Sequence, residues 1–154
     1  MFRGVSALNL DSKGRLAIPT RYREALQRQS EGRLVVTVNN ATRDERCLWL
    51  YPLPQWEEIE RRLVALPSTG DAFQRIKRIL IGHATDAELD GSGRVLLSQP
   101  LREFAGLDKR VVLIGQGNKF EVWNEDTWNT LREAWLTEQV NEGPMPLDLE
   151  QLSL

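Results

Sequence analysis

Two short segments of this sequence place an aspartate, a glycine and an arginine at the same spacing. They are Asp11-Ser-Lys-Gly-Arg15 and Asp90-Gly-Ser-Gly-Arg94. An aspartate that opens a tight turn accepts hydrogen bonds from backbone N–H groups, and a glycine supplies the positive φ that such a turn requires. The arginine then projects from the tip, where its guanidinium can bind a phosphate or a guanine edge. The residues predicted to organise the turns are Asp11, Gly14, Asp90 and Gly93.

The spacing permits a structural interpretation as well, in which Asp11 and Arg15 pair only to close the turn. Two equivalent turns favour a binding role, because duplication places both on one pseudo-symmetric face. A hairpin tip that carries arginine can enter a groove of DNA, as β-ribbon proteins do. Lys13 is then suited to a phosphate, and its replacement by Ser92 makes the second turn the weaker contact. The predicted DNA-binding residues are Arg15, Lys13, Arg94 and Arg3.

Residue counts argue against an enzyme or a metalloprotein. The chain has one cysteine, Cys47, and one histidine, His83. A disulfide framework and a histidine-rich metal site are therefore excluded, and the usual nucleophile–base pairs would have to use these two residues. A hydrolase built on His83 and Asp86 is one alternative, but the sequence places no nucleophile beside them. No phosphate-binding, dinucleotide-binding, zinc-protease or serine-hydrolase motif is present, so we expect no cofactor, metal or small-molecule substrate.

Other polar groups have competing interpretations. His83 follows a predicted helix end, where capping or packing is favoured over catalysis. The carboxylates of Asp86, Glu88 and Asp90 alternate along one strand. They could bind a hard cation, but a strand face exposed to solvent is the favoured interpretation. The basic side chains of one predicted helix, Arg75, Lys77 and Arg78, are interpreted as a hydrated face rather than as a DNA contact.

Charge is distributed unevenly along the chain. The 154 residues carry a net charge of −2, yet residues 1–30 have six basic and two acidic side chains, and residues 138–154 have four acidic and no basic ones. A basic end on a nearly neutral chain is compatible with a polyanion-binding face. No apolar run reaches the length of a membrane span, and the N-terminus lacks the apolar core of a signal peptide. We therefore expect a cytoplasmic protein with no membrane partner.

A unit of about 50 residues occurs twice. Residues 11–18 match residues 90–97 at an offset of 79, and three later segments match in the same order at offsets of 77 to 72. The later matches are Arg33 with Arg110, Leu48–Tyr51 with Phe120–Trp123, and Trp56 with Trp128.

Each unit has the same predicted elements. Alternating apolar residues predict a strand, which a tight turn joins to a second strand to make a hairpin. A proline then opens a short helix, and two further strands follow. In the first unit these elements are Ser6–Leu10, Leu16–Ile18, a helix from Pro19 to about Gln27, Leu34–Val38 and Leu48–Tyr51. In the second unit they are Asp86–Leu89, Val95–Leu97, a helix from Pro100 to Phe104, Val111–Ile114 and Phe120–Trp123, with a hairpin turn at Gly115–Asn118.

Helices are predicted between and after the units. Asp71 is expected to cap the second linking helix. Trp56, Trp128 and Trp135 lie on apolar helical stripes, so we expect core or subunit contacts rather than base stacking, and Cys47 is expected to be a buried, inert thiol. The expected organisation is a first unit at 5–52, linking helices at 53–80, a second unit at 81–124, a C-terminal helix at 125–140 and a mobile tail at 141–154.

Several motifs in this order resemble the MraZ family over almost the whole chain. They are Met1-Phe-Arg-Gly4, the segment from Asp11 to Arg23, Leu50-Tyr-Pro-Leu-Pro-Gln-Trp56, Leu80-Ile-Gly-His-Ala84 and Gly115-Gln-Gly-Asn-Lys-Phe120. The resemblance implies an α+β, β-rich fold in which tandem SpoVT–AbrB-like swapped-hairpin units form one pseudo-twofold barrel with outer helices. The family's paired D-x-x-x-R motif falls on Asp11/Arg15 and Asp90/Arg94.

The same resemblance implies a bacterial, cytoplasmic, nucleoid-associated transcriptional regulator. Such a protein would bind short direct repeats in double-stranded DNA upstream of its own division and cell-wall gene cluster, mainly as a repressor. It would also assemble into a homo-oligomeric ring. The alternative from another class is an oligomeric scaffold or protein-binding module whose basic face meets an acidic partner.

Overall fold

The computed structural model describes residues 1–138 and 147–152, which fold into a mixed α+β, sheet-rich structure with antiparallel strands. The first unit supplies β1 (Phe2–Asn9), β2 (Arg15–Ala17), α1 (Thr20–Ser30), β3 (Arg33–Val38) and β4 (Leu48–Pro52), with a 3-10 turn at Arg43–Glu45. The linking helices are α2 (Leu53–Val64) and α3 (Asp71–Leu80). The second unit supplies β5 (Thr85–Glu88), β6 (Arg94–Leu96), α4 (Gln99–Phe104), β7 (Arg110–Gly117) and β8 (Phe120–Asn124). After it come α5 (Glu125–Glu138) and α6 (Leu147–Glu150).

The two units share their sheets. Six strands lie in the order β1-β7-β8-β4-β3-β5, and β2 pairs with β6 in a separate two-stranded sheet. Exchanging each strand for its counterpart in the other unit reverses the six-strand order and leaves it otherwise unchanged. Each of β1, β2, β4 and β5 is paired with a strand of the opposite unit.

The predicted β1–β2 and β5–β6 hairpins are wrong. β1 pairs with β7 along eight residues, and β5 pairs with β3 along four. β2 has only three residues, so a hairpin with it would satisfy far fewer backbone groups of β1 than the ladder with β7 does. The chain does reverse at Asp11, whose N–H donates to the carbonyl of Arg15, but β1 and β2 then separate. The predicted β7–β8 hairpin is confirmed.

The main core lies between the six-stranded sheet, the β2–β6 pair and the helices α1 and α4. Leu16 of β2 and Val95 of β6 face each other in register and are fully buried. The ring of Phe120 is also fully buried, with its centroid 4.1 Å from that of Phe2 and 4.9 Å from that of Tyr22. Both units therefore contribute to one core.

A second cluster lies under α2 and α3 on the other side of β3 and β4. Trp56 is buried there with Tyr51, Leu63 and Leu80, so its predicted core role is confirmed. Trp128 and Trp135 pack with Trp123 in a separate aromatic group whose ring centroids lie about 6 Å apart, and Trp135 stays 38% exposed.

Some helix ends differ from the sequence-based expectations. Asp71 is not the cap of α3: Gly70 occupies that position, no side chain caps the helix, and Asp71 lies in its first turn. Helix α1 continues to Ser30, whose hydroxyl donates to the carbonyl of Leu26, and Glu31 ends it in the left-handed region. Residues 139–140 of the predicted C-terminal helix, and 141–146 and 153–154 of the predicted tail, lie outside the described residues.

None of the helices within residues 1–138 and 147–152 combines the length and the apolar composition needed to cross a bilayer.

The shared core predicts that the two units unfold together. Phe120→Ala should lower the free energy of unfolding by about 3–5 kcal/mol, because it leaves a cavity in a core built from both units. Val64→Ala, at a side chain that is 63% exposed, is the control and should change it by less than about 0.5 kcal/mol. Urea unfolding followed by circular dichroism and tryptophan fluorescence should show one transition; two separate transitions would contradict the shared core.

Candidate nucleic-acid interface

The first turn is held by the carboxylate of Asp11. Its Oδ1 accepts hydrogen bonds from the N–H groups of Lys13 and Arg15, both at 2.9 Å. Its Oδ2 lies 2.6 Å from the Nε of Arg15, which donates to it. Gly14 closes the turn at φ 82°, with its N–H on the carbonyl of Asp11. One carboxylate therefore fixes both the backbone of the tip and the rotamer of its arginine.

These bonds change the acidity of Asp11. The N–H of Arg15 is the largest cause that lowers the pKa of the carboxyl group to about 2. Partial removal from water works in the opposite direction, whereas the Arg15 side chain and the N–H of Lys13 lower the pKa further. Asp11 is therefore ionised, and the pair with Arg15 intact, throughout the neutral range.

The second turn repeats this geometry. Asp90 accepts the N–H groups of Ser92 and Arg94 at 2.9 Å each, and its Oδ2 lies 3.0 Å from the Nε of Arg94. Gly93 has φ 73°. The N–H of Arg94 is again the largest cause of a lowered pKa, here that of Asp90.

The β2–β6 pair brings the two turns together. Arg15 is in register with Leu96, and Arg94 with Ala17, so both arginines lie on the face opposite the buried Leu16 and Val95. The terminal nitrogen of Arg94 is 3.8 Å from Oδ2 of Asp11, so the turns are in direct contact. Both arginine side chains are about one-third exposed, at 30% and 34%.

Arg3, another predicted site residue, is not brought to the turns. It lies near the start of β1, six residues before the strand ends at Asn9, which is about 20 Å along an extended chain. Its carbonyl accepts a hydrogen bond from the Tyr22 hydroxyl. Lys13 is exposed at the tip of the first turn.

Two further arginines belong to this region, and the sequence analysis did not single them out as site residues. Arg102 of α4 donates from Nε to the carbonyl of Leu97 at 2.9 Å, and a Cβ on Gly14 would lie 2.6 Å from that nitrogen. Arg23 of α1 donates to the carbonyl of Ile18 and lies over Gly93 in the same way. The available signal was the repeat itself, because Arg23 and Arg102 are equivalent at the offset of 79.

The remaining candidates do not form a catalytic centre. His83 is exposed, and its Nδ1 is 2.7 Å from the carbonyl of Ile79 at the end of α3, as expected of a capping residue. Cys47 is fully buried, and burial is the largest cause that raises the pKa of its thiol. Within the described part of the chain, no group of three or more His, Cys, Asp or Glu side chains is placed to hold a metal ion.

The lowered pKa of Asp11 predicts how stability depends on pH. In the unfolded chain the pKa of an aspartate is about 3.9, whereas in the folded turn the pKa of Asp11 is about 2. As pH falls from 4 to 2, the unfolded state takes up this proton first, so stability falls across that window. Asp11→Asn should flatten the fall in melting temperature between pH 4 and pH 2. Ser12→Ala, in the same turn, should keep the wild-type slope; an unchanged slope in Asp11→Asn would contradict the assignment.

Comparison with known proteins supplies the family. The family model described as "MraZ protein, putative antitoxin-like" matches the chain twice, over residues 1–79 and 80–143. A protein of Thioalkalivibrio sulfidiphilus named "Transcriptional regulator MraZ" is 54% identical over 154 residues, which is the full length of both chains.

Relatives with the same name occur in other bacteria. The protein of Methylococcus capsulatus is 57% identical over 143 residues, covering 93% of this chain and 91% of the relative. The protein of Coxiella burnetii is 52% identical over 155 residues and all of both chains. The relatives are named as regulators of transcription, not as enzymes, and the hydrolase alternative is therefore set aside. This chain belongs to the MraZ family.

Proposed function

We propose that this protein is a sequence-specific, double-stranded DNA-binding regulator of transcription that acts on short direct repeats upstream of its own division and cell-wall gene cluster, mainly as a repressor. The observation that carries the proposal is the pair of Asp–Arg turns on one exposed face of the β2–β6 ribbon. The names of the relatives support it independently.

The geometry suits the reading of a base edge. Asp11 engages the Nε of Arg15, and the two terminal nitrogens form the fork that matches O6 and N7 of guanine. Because the carboxylate and the turn already fix the arginine, little side-chain freedom is lost on binding. Arg94 offers the same group on the same face. Lys13 adds a phosphate contact beside the first turn, and Ser92 offers no such charge beside the second.

The proposed architecture is a single pseudo-twofold barrel of two swapped-hairpin units with helices outside. The symmetric strand order supports it, as do the strand pairs between units. Such a barrel presents two related arginines within one chain, where a homodimer of single units would use two chains.

The protein is further proposed to work as a ring of identical subunits in the cytoplasm, on the nucleoid. One face has only two base-reading arginines, so a single contact is weak. Direct repeats suit copies of one face, and linked contacts raise the overall affinity by about 10²–10⁴. The exposed side chains of Trp135 and Leu136 on α5 are candidates for contacts between subunits.

Arg15→Ala should remove most of the preference for DNA from upstream of the gene over a scrambled duplex. The loss of a bidentate base contact costs about 1–3 kcal/mol. The turn should survive, because alanine retains the N–H that Asp11 accepts. Fluorescence anisotropy with both duplexes measures the preference, and Arg28→Ala, at an exposed arginine of α1, is the matched control.

Lys13→Ala separates phosphate contact from base reading in the same assay. It should weaken binding to both duplexes alike and lower the dependence of log affinity on log salt by about 1.

If Arg15→Ala binds upstream DNA as well as the wild type, Arg15 is only a brace for the turn. If the wild type has no preference for any sequence, the scaffold alternative replaces the proposed function.

Assembly predicts a dependence on the number and spacing of repeats. Affinity should rise steeply from one repeat to several, and moving alternate repeats by half a helical turn should remove most of the gain, since those sites would face away from the ring. Light scattering and anisotropy on matched duplexes test this. A monomer in solution, or binding that ignores repeat number and spacing, would contradict the ring mechanism.

A further inference from the structure

Each Asp–Arg turn is bonded to the opposite unit at its glycine. The carbonyl of Gly14 accepts the N–H of Leu97 at 3.0 Å, and the carbonyl of Leu97 accepts the Nε–H of Arg102 at 2.9 Å. The same arginine returns to lie on Gly14, where an added Cβ would meet its Nε at 2.6 Å and its Cζ at 2.7 Å. Two hydrogen bonds and one close contact therefore connect Gly14 of the first unit with Leu97 and Arg102 of the second.

The second turn makes the equivalent contacts with the first unit. The carbonyl of Gly93 accepts the N–H of Ile18 at 3.0 Å, and the carbonyl of Ile18 accepts the Nε–H of Arg23 at 2.6 Å. A Cβ on Gly93 would lie 2.6 Å from Cδ and Cζ of Arg23. Each turn is thus covered by an arginine that the other unit supplies.

We propose that Arg102 and Arg23 are positioning residues of the DNA interface: Arg102 holds the turn that presents Arg15, and Arg23 holds the turn that presents Arg94. The inference rests on the proposed function for its consequence in DNA binding, but the positioning itself exists in the free protein. Both side chains are partly buried, and the guanidinium group lies against the glycine while Nε anchors it to a carbonyl.

A phosphate contact is the rival role for Arg102, because its side chain lines a shallow cleft beside Asp11 with Ser12 and Lys109. The two roles differ in what lysine can replace. Lysine retains the charge that a phosphate needs, but it lacks both the Nε–H at the anchoring position and the flat group that covers the glycine. Arg102→Lys should therefore preserve a phosphate contact and fail to preserve positioning.

The first arm of the test uses no DNA. Amide hydrogen exchange of the full-length protein should show that Arg102→Lys speeds exchange of the Leu97, Lys13 and Arg15 N–H groups by about tenfold or more. The corresponding groups of the second turn, those of Ile18, Ser92 and Arg94, should exchange as in the wild type. Arg23→Lys should show the opposite pattern, and it keeps the proposal testable if Arg102→Lys fails to fold.

The second arm compares upstream and scrambled duplexes over a salt series. Arg102→Lys should lower the preference for upstream DNA about tenfold and leave the salt dependence of scrambled-DNA binding unchanged. Arg28→Lys, an equal change at an exposed arginine, should behave as the wild type in both arms.

Two outcomes would overturn the proposal: wild-type exchange in both lysine variants, or equally faster exchange throughout the protein, which is the result of general destabilisation. Retained preference together with wild-type exchange would exclude the positioning role of Arg102 and is the result that the rival phosphate contact predicts. A wild-type protein with no sequence preference would overturn the proposed function, while the exchange arm would still decide whether the two arginines position the turns.

Discussion

The structure depends on strand pairing between two copies of one unit. β1 hydrogen-bonds to β7, β2 to β6, β4 to β8 and β5 to β3, so each unit leaves backbone groups that only the other can satisfy. An unpaired strand edge over the apolar core would be costly for either unit alone. The same pairing places the two turns side by side, since each turn leads directly into a strand of the β2–β6 ribbon.

The local geometry of the site could be predicted from the sequence, because it is local. An aspartate four residues before an arginine, with a glycine between them, contains every group that the turn uses. The order and type of β1 to β8 and of α1 to α5 also followed from periodicity and from the repeat, whereas the 3-10 turn was not predicted and α6 lies in the segment expected to be a tail. The strand partners were predicted wrongly. Two strands joined by a tight turn have the sequence pattern of a hairpin even when each of them hydrogen-bonds to a different strand.

The other misses have the same origin. Arg23 and Arg102 contact the opposite unit, and no spacing within one unit reveals that contact. The exclusion of Asp71 as a helix cap depends on the path by which the chain enters α3 at Gly70. Arg3 shares the basic N-terminus with Arg15, but β1 is extended and carries it to the far end of the strand. Residues that are close in sequence lie far apart in the fold when an extended strand separates them.

Under the proposed function, the Asp–Arg pairs favour discrimination over general affinity for DNA. Each pair is neutral, so the net positive charge at the turns comes from Lys13 and from the arginines of the opposite unit that lie on the two glycines, Arg102 and Arg23. The carboxylates also repel phosphates, which lowers the salt-sensitive attraction that all sequences share. A fixed arginine that meets the wrong base cannot easily reorient, and its fork then stays unpaired at a cost. Under the proposed function, a face of this kind would bind one site weakly but reject wrong sites well, and identical faces acting together on repeated sites would supply affinity without losing that selectivity.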